Sequence, residues 1–313
     1  MSIRIGISPV AWQNDDLPDL TANYTMEQAL REASEIGYAG VERGRRMPED
    51  TLALRNFLAA NQLALCGGWY SGNLMAVSVR EEIAAIAQQV EQFVALNSPC
   101  LVYAECSNTV QGQLKTPVNN RPKLSRDEIR HYARNLSELA KWMADQGMVL
   151  AYHHHMGSMI EDQQDVDFLM EGSSEDVTLL LDTGHLTFGG GNVMETLDKW
   201  GHRIRHVHFK DIRENITRMI RAENKSFLEG VIAGAFTVPG DPQGSIDFQA
   251  VTDALAKMQY KGWIVVEAEQ DPAKADPYVY SKTGYDHIID LCANSGMAVD
   301  NRTKFVEATY SHG

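Results

Sequence analysis

The sequence predicts an α/β protein built as a single (β/α)8 TIM barrel, and two observations carry that prediction. Eight short apolar runs alternate with amphipathic stretches along 313 residues, and this number of repeats in a chain of this length is typical of the barrel. The turn after the first run, GISPVAWQNDD, lacks the glycine pattern that cradles a phosphate. A doubly wound open sheet, the alternative α/β fold, is therefore less favoured.

The eight predicted strands are short runs rich in Ile, Val and Leu. In chain order they are IRIGIS from Ile3, AGVE ending at Glu42, LALCGG from Leu63, CLVYAE ending at Glu105, MVLAYH from Met148, VTLLLD ending at Asp182, IRHVHF from Ile204 and WIVVEAE from Trp263. In such a barrel the C-terminal ends of all eight strands surround one mouth, where the active site is built.

The helices between the strands have readable beginnings. Three pairs match the capping box, in which a hydroxyl and an acidic or amide side chain satisfy the first backbone donors of a helix: Thr25 with Gln28, Ser78 with Glu81, and Ser125 with Glu128. A further helix is expected to begin after Asp247 and to run to about Met258. Between residues 125 and 146 apolar side chains recur at helical spacing, and this stripe is expected to face the sheet: Ile129, Tyr132, Leu136, Leu139 and Met143.

We expect residues 1–313 to form one domain, because no linker, internal repeat or low-complexity segment divides the chain. Two connections are too long to be simple turns. Residues 107–124 follow the fourth strand and residues 211–246 follow the seventh. Both leave the C-terminal ends of strands, so we interpret them as lids or substrate-contacting loops.

The net charge and the cysteine content indicate which kind of partner and which cellular compartment to expect. The net charge is −14, which argues against nucleic acid and favours a small ligand or a bound divalent metal. Four widely spaced cysteines predict buried thiols in a reducing compartment. With neither a signal peptide nor an apolar run of about 20 residues, a cytoplasmic protein without a membrane partner is expected. Whether it forms a homo-oligomer is left open.

Seven of the ten histidines lie between residues 153 and 208: His153, His154, His155, His185, His202, His206 and His208. Side chains alternate along a strand, so His153 and His155 should face the barrel mouth, whereas His154 should face the helices and be structural. Strands five to eight then each deliver one inward donor, and the predicted metal ligands are His153, Asp182, His208 and Glu267. Such a mixed nitrogen and oxygen set suits Mn, Co, Zn or Fe.

Other strand-end residues are candidates for substrate binding. Glu42 ends the second strand and Glu105 the fourth, while Asn14 follows the first. Trp12 and Trp69 could together form an apolar wall against a ring-shaped substrate. Lys210 stands two residues after His208, and a lysine buried beside a metal can have a lowered pKa and act as a base.

The motifs LLLDTGH, HVHFKD and GWIVVEAEQDP, in that order, resemble those of the xylose isomerase-like barrel superfamily, which includes sugar isomerases, epimerases and endonuclease IV-type repair enzymes. Within it, ISPVAWQNDDLP, YHHHMG, FTVPGD and VVEAEQDP together resemble the inosose dehydratase family. The resemblance extends from Gly6 to about Pro272, and YHHHMG is its most specific piece. It implies a hydro-lyase of myo-inositol catabolism.

The resemblance also implies the metal and its ligands. The superfamily uses Glu, Asp, His and Glu from strands five to eight, and Asp182, His208 and Glu267 match by type. His153 stands where the relatives carry glutamate, so the fifth-strand ligand is open between His153, His155 and none. Manganese or cobalt is the expected metal, with zinc and iron as alternatives.

The implied reaction is loss of water from 2-keto-myo-inositol (scyllo-inosose), a small polyhydroxylated cyclic ketone, to give a trihydroxycyclohexane-1,2-dione. The metal would act as a Lewis acid toward the ketone. His155 is the candidate acid for the departing hydroxyl, and Lys210 or Glu269 is the candidate base. Three alternatives stand beside this hypothesis: a sugar isomerase or epimerase of the same superfamily, a repair endonuclease, and a non-catalytic metal-binding barrel.

Overall fold

A computed structural model of the chain describes residues 2–300 and confirms the predicted barrel. Eight parallel strands lie side by side, and the circle closes where the last pairs with the first, for example Ile7 with Val266. The eleven strands of the described chain are β1 (Ser2–Ile7), β2 (Gly40–Arg43), β3 (Ala64–Gly72), β4 (Leu101–Glu105), β5 (Leu150–His153), β6 (Val177–Asp182), β7 (Ile204–Phe209), β8 (Asp211–Ile212), β9 (Phe236–Thr237), β10 (Trp263–Val266) and β11 (Ala298–Val299).

The barrel consists of β1 to β7 and β10, which are the eight strands that the sequence predicts. Several strand boundaries differ by one or two residues, and two differ by more: β3 continues past Gly68 to Gly72, and β10 ends at Val266 instead of continuing through Glu269. The next backbone N–H, that of Glu267, reaches Phe209 O only at 3.4 Å. Glu267 and Glu269 therefore lie on the loop that leaves the strand, directly above the barrel mouth.

Helices lie between the barrel strands and cover their outer face. They are α1 (Met26–Ile36), α2 (Thr51–Ala60), α3 (Val79–Ala95), α4 (Arg126–Asp145), α5 (Gln163–Gly172), α6 (Thr183–Phe188), α7 (Val193–Trp200), α8 (Glu214–Ala222), α9 (Phe227–Ala233), α10 (Phe248–Lys257) and α11 (Pro277–Asn294). Among residues 2–300, no helix is both long enough and apolar enough to cross a membrane.

The predicted caps begin these helices, with one difference. Ser78 and Ser125 form reciprocal capping boxes, and Asp247 accepts a hydrogen bond from Ala250 N at the start of α10. At Thr25 only half of the box forms. The side chain of Gln28 donates to Glu32 instead of returning to the cap, because the carboxylate one turn ahead is the stronger acceptor.

The core lies between the helices and the barrel. On α4 the predicted stripe is fully buried against the sheet, and each large apolar side chain so buried contributes about 1.5–3 kcal/mol to stability. Three cysteines are buried as expected, whereas Cys106 is partly exposed. This packing makes the barrel a rigid scaffold, and the C-terminal ends of its strands all surround one opening.

The connection of residues 211–246 is a small folded unit instead of a loop. It contains β8, α8, α9 and β9, and β8 pairs with β9 in antiparallel fashion. Its apolar side chains form a cluster of their own around Phe227 and Phe236. The other long connection is tied to this unit, because Val118 N donates to Lys225 O. Together the two connections cover one side of the barrel mouth.

Candidate metal centre and active site

Four strand ends bring four donor groups to one point at the barrel mouth. His153 and Asp182 are the last residues of β5 and β6, while His208 lies opposite Asp182 in the β6–β7 register. Glu267 follows β10. One donor atom from each of these four residues lies within 4.8 Å of the others. His208 Nδ1 lies 2.5 Å from Glu267 Oε2 and 3.5 Å from Asp182 Oδ2, and His153 Nε2 lies 3.6 Å from the same Asp182 oxygen.

The donor atoms at this point fit a divalent cation. Asp182 Oδ2 and His208 Nδ1 are buried, and their polar neighbours among the described residues are the other donors of this group and Lys210. The remaining atoms of these side chains are engaged elsewhere. Asp182 Oδ1 accepts from His185 N, and the Nδ1–H of His153 donates to His154 O at 2.6 Å, which leaves its Nε2 free. Two imidazole nitrogens and two carboxylate oxygens suit a transition metal better than Ca²⁺ or Mg²⁺.

Glu42 stands behind His208, on the side away from this point. Its Oε1 lies 3.0 Å from His208 Nε2 and 2.9 Å from His206 Nε2. Burial alone would raise the pKa of Glu42, but the two imidazoles outweigh it and hold that pKa far below its usual range. Burial alone would lower the pKa of His208. The carboxylates of Glu267 and Glu42 outweigh burial and raise that pKa well above its usual value.

Lys210 is fully buried beside the four donors. Its ammonium lies 2.8 Å from Glu269 Oε2, 3.0 Å from Glu267 Oε1 and 3.4 Å from Asp182 Oδ2. Burial would lower its pKa, but these three carboxylates dominate and raise it above the usual lysine value. The expectation of a lowered pKa is therefore wrong, because the negative charges that the cation touches outweigh its desolvation.

A second pair of histidines adjoins the lysine. The rings of His155 and His185 are 4.0 Å apart, and His185 Nε2 lies 2.8 Å from Lys210 Nζ and 3.4 Å from Glu269 Oε1. His155, His185 and Glu269 also bring donors together, but His185 Nε2 and both oxygens of Glu269 already lie within 2.9 Å of Lys210 Nζ. Phe227 packs on His155 from the folded unit of residues 211–246. His185 was not among the expected site residues; its place three residues after Asp182 was the available signal.

The histidine run divides as alternation predicts. His153 and His155 both pack edge-on against Trp69, with ring centroids 5.5 Å away. His154 is fully buried and does not line the cavity, and neither of its ring nitrogens has a partner among the described residues. Burial lowers the pKa of His154 to about 4. It is therefore a neutral, structural side chain.

A cavity of about 310 Å³ opens at the barrel mouth above the four donors. Several of the expected residues line it: Asn14, Glu42, Trp69, His155, His208, Glu267 and Glu269. Others on its wall were not expected from the sequence, among them Gln13, Asp16, Arg45, Tyr70 and Gln111. These come from the loops after β1 and β2, from the end of β3 and from residues 107–124, where no periodic pattern marks a side chain that faces inward. A cavity of this size and polarity suits a small polar ligand.

Five expected site residues do not line the cavity: the predicted metal ligands His153 and Asp182, together with Trp12, Glu105 and Lys210. Trp12 is fully buried, and its Nε1 donates to Glu32 at 2.6 Å, because the 3-10 turn at Pro9–Ala11 directs it into the core. The carboxylate of Glu105 accepts hydrogen bonds from the backbone N–H groups of Leu74 and Ser107. Lys210 lies beneath Glu267 and Glu269. Of the two tryptophans, Trp69 therefore forms part of the cavity wall and Trp12 does not.

A closed (β/α)8 barrel with candidate metal donors at its strand ends defines the class of protein, and comparison with known families agrees with the barrel. The chain belongs to the xylose isomerase-like TIM barrel family, whose model matches residues 30–290. It is 40% identical over 288 residues to the inosose dehydratase of Clostridium botulinum (strain Alaska E43), covering 91% of this chain and 96% of that protein. The predicted resemblance to inosose dehydratases is thereby confirmed.

The chain is also similar to a second curated protein and to a solved structure. The chain is 40% identical over 305 residues to the rhizopine catabolism protein MocC of Rhizobium meliloti, covering 97% of this chain and 93% of that protein. Among solved structures, the IOLI protein with a bound zinc atom superimposes with a TM-score of 0.66 at 17% identity, covering 94% of this chain and 99% of that one. This second likeness supports the fold.

Proposed function

We propose that the chain is a metal-dependent inosose dehydratase, a hydro-lyase that removes water from scyllo-inosose to give a trihydroxycyclohexane-1,2-dione in myo-inositol catabolism. The observation that carries the proposal is the set of four donors beneath a small polar cavity that also holds His155 and Glu269. The full-length similarity to proteins named inosose dehydratase supports the choice of substrate.

The proposed metal ligands are His153, Asp182, His208 and Glu267, each of which has one donor atom within 4.8 Å of the others. Manganese or cobalt is the proposed metal, with zinc and iron as alternatives, because imidazole and carboxylate together suit these ions. When bound, such an ion supplies Lewis acidity that stabilises negative charge on the ketone oxygen.

Elimination then needs one base and one acid on the cavity wall. We assign the base to Glu269, which lines the cavity, in preference to Lys210, which does not. Its carboxylate takes the proton from the carbon beside the ketone, and the electron pair forms a carbon–carbon double bond as the β-carbon–oxygen bond breaks. His155 gives a proton to the departing hydroxyl, so that water leaves. The resulting enol then rearranges to the dione.

Substrate binding is assigned to the remaining wall of the cavity. The Trp69 ring offers an apolar face to the C–H bonds of a cyclohexane ring. Glu42 also lines the cavity and offers an acceptor for a hydroxyl group, whereas Asn14, whose Oδ1 already accepts from Asp16 N and Leu17 N, offers its amide N–H groups as donors. We further propose a single-domain cytoplasmic enzyme without a nucleic-acid or membrane partner, in keeping with its net charge of −14.

The test is turnover of scyllo-inosose by the purified, metal-reconstituted protein, followed by product mass and dione absorbance. We expect a product lighter by one water, and a loss in kcat of about 10²–10⁴-fold in H155Q and in E269Q. H131Q, which changes an exposed histidine on α4, is the control. A product of unchanged mass would identify an isomerase instead, and wild-type turnover in both site variants would remove their assigned roles.

A further inference from the structure

We infer that Glu42 is a positioning residue that decides which nitrogen of His208 is free to bind the metal. The inference rests on the proposed metal centre and deepens it. The two nitrogens of His208 face in different directions. Nε2 lies 3.0 Å from Glu42 Oε1, whereas Nδ1 lies 2.5 Å from Glu267 Oε2 and 3.5 Å from Asp182 Oδ2.

The chemistry of the carboxylate fixes the position of the imidazole proton. An ionised carboxylate only accepts hydrogen bonds, so His208 must donate to it through Nε2–H. Nδ1 faces the carboxylate of Glu267, so the ring would hold a second proton there until a metal binds. Once that proton is lost, Glu42 keeps the remaining proton on Nε2, and the lone pair stands on Nδ1, which faces the other metal ligands. A carboxylate behind a ligating histidine also makes that histidine a stronger donor to the metal.

Glu42 is itself held in place by a second histidine. His206 is fully buried on the same face of β7 as His208, and its Nε2 lies 2.9 Å from the same Glu42 oxygen. Gly67 on β3 leaves the space that the pair occupies. A Cβ there would lie 3.0 Å from Glu42 Oε1 and 3.2 Å from His206 Nε2.

Two irregularities in the barrel bring these groups together. The β2–β3 register shifts between Val41 and Glu42, so that Glu42 lies opposite Gly67. The β6–β7 register shifts between Leu179 and Leu180, which sets Asp182 opposite His208. Bulges of this kind redirect the side chains that follow them. The first shift directly precedes Glu42 and the second directly precedes His206, so both occur where the strands deliver this group of side chains.

The test measures cobalt affinity and the His208 tautomer in E42A and E42Q. We expect E42A to bind Co²⁺ about 10- to 100-fold more weakly than wild type, and E42Q, which keeps an acceptor oxygen, to fall between the two. E105A and E105Q are matched controls, because Glu105 is a similarly buried strand-end glutamate that accepts hydrogen bonds from Leu74 and Ser107 and contacts no histidine in the described chain. Their cobalt affinity should equal that of wild type.

A second readout follows the proton directly. In zinc-loaded protein with ¹⁵N-labelled histidine, the Nε2–H of His208 should be observed and slow to exchange, and it should exchange rapidly in E42A. Wild-type cobalt affinity in E42A would overturn the inference. So would two cobalt ions per wild-type chain with one lost in E42A, because Glu42, His206 and His208 would then be ligands of a second ion. If wild type bound no cobalt, the proposed metal centre itself would fail.

Discussion

Lys210 Nζ and Glu269 Oε2 lie 2.8 Å apart, and the lysine side chain has no exposed surface. The same ammonium also contacts Glu267 and Asp182. One cation therefore links the proposed metal carboxylates to the proposed base on the cavity wall. It balances a concentration of negative charge that would otherwise stand unpaired in the protein interior.

Replacing this cation should destabilise the metal-free protein strongly. K210M leaves the carboxylates of Asp182, Glu267 and Glu269 without their partner, and such a loss costs about 3–5 kcal/mol. The loss in free energy of unfolding should be smaller with cobalt bound, because a divalent cation restores part of the balance. Urea denaturation with and without Co²⁺ measures both. K141M, at an exposed lysine, should leave stability unchanged, and a K210M variant as stable as wild type would refute this role.

The two tryptophans near β1 and β3 should separate binding from stability. W69A removes the ring that faces the cavity and should raise KM for scyllo-inosose by about 10-fold, the equivalent of about 1.4 kcal/mol. W12F removes the hydrogen bond to Glu32 within the core and should lower the free energy of unfolding by about 1–2 kcal/mol. Its KM should not change. Steady-state kinetics gives KM and urea denaturation gives the free energy of unfolding for both variants. A raised KM in W12F with an unchanged KM in W69A would contradict the placement of these rings.

Arg121 should prove to be a structural clamp for the connection of residues 107–124. Its buried guanidinium lies 2.7 Å from Asp162 and 2.8 Å from Asp165, and 3.4 Å from Glu161. R121M should therefore lower the free energy of unfolding by about 3 kcal/mol. Arg126, half-exposed beside Glu171, is the matched control, since R126M should cost less than about 1 kcal/mol. Equal effects of the two variants in chemical denaturation would speak against the clamp.

Asp211 should make stability depend on pH. Burial raises its pKa to about 6, although backbone N–H groups of Ser245, Ile212 and Ile246 oppose the shift. In the unfolded chain the pKa is about 3.9, so the folded protein holds this proton more tightly. The contribution of the proton to stability is complete below about pH 4 and is lost as pH rises through about 6.

D211N carries no such proton, so the comparison isolates the effect. Between pH 4 and pH 7 the free energy of unfolding of D211N should rise relative to wild type by about 3 kcal/mol, from two pKa units at about 1.4 kcal/mol each. Urea denaturation in EDTA at several pH values measures the difference. A difference that does not vary with pH would show that Asp211 titrates normally.

Much of the site could be predicted because parallel barrel strands end at one edge. Alternation along β5 and β7 was sufficient to place the pairs His153 and His155, and His206 and His208, toward the mouth, but it did not choose within a pair. The ends of β6 and β10 supplied Asp182 and Glu267. The direction of Trp12 could not be predicted, since a single 3-10 turn decides it. The pKa shift of Lys210 depends on carboxylates from separate strands, which a local pattern does not bring together.

The folded unit of residues 211–246 was also beyond the sequence pattern. Its strands β8 and β9 have two residues each, too few to show an alternation. The role that we propose for Glu42 depends on two register shifts, which follow from packing around the whole barrel. Both features belong to tertiary structure, where neighbouring elements override local preference.

The most direct test of the central claim is a metal titration of the EDTA-treated protein with scyllo-inosose as substrate. Turnover should be absent without metal and should rise with added Mn²⁺ or Co²⁺ to a plateau at one ion per chain, giving a product lighter by one water. D182N, which removes one donor charge at the centre, should not respond over the same range. Full turnover in the metal-free protein, or a product with the mass of the substrate, would contradict a metal-dependent dehydratase.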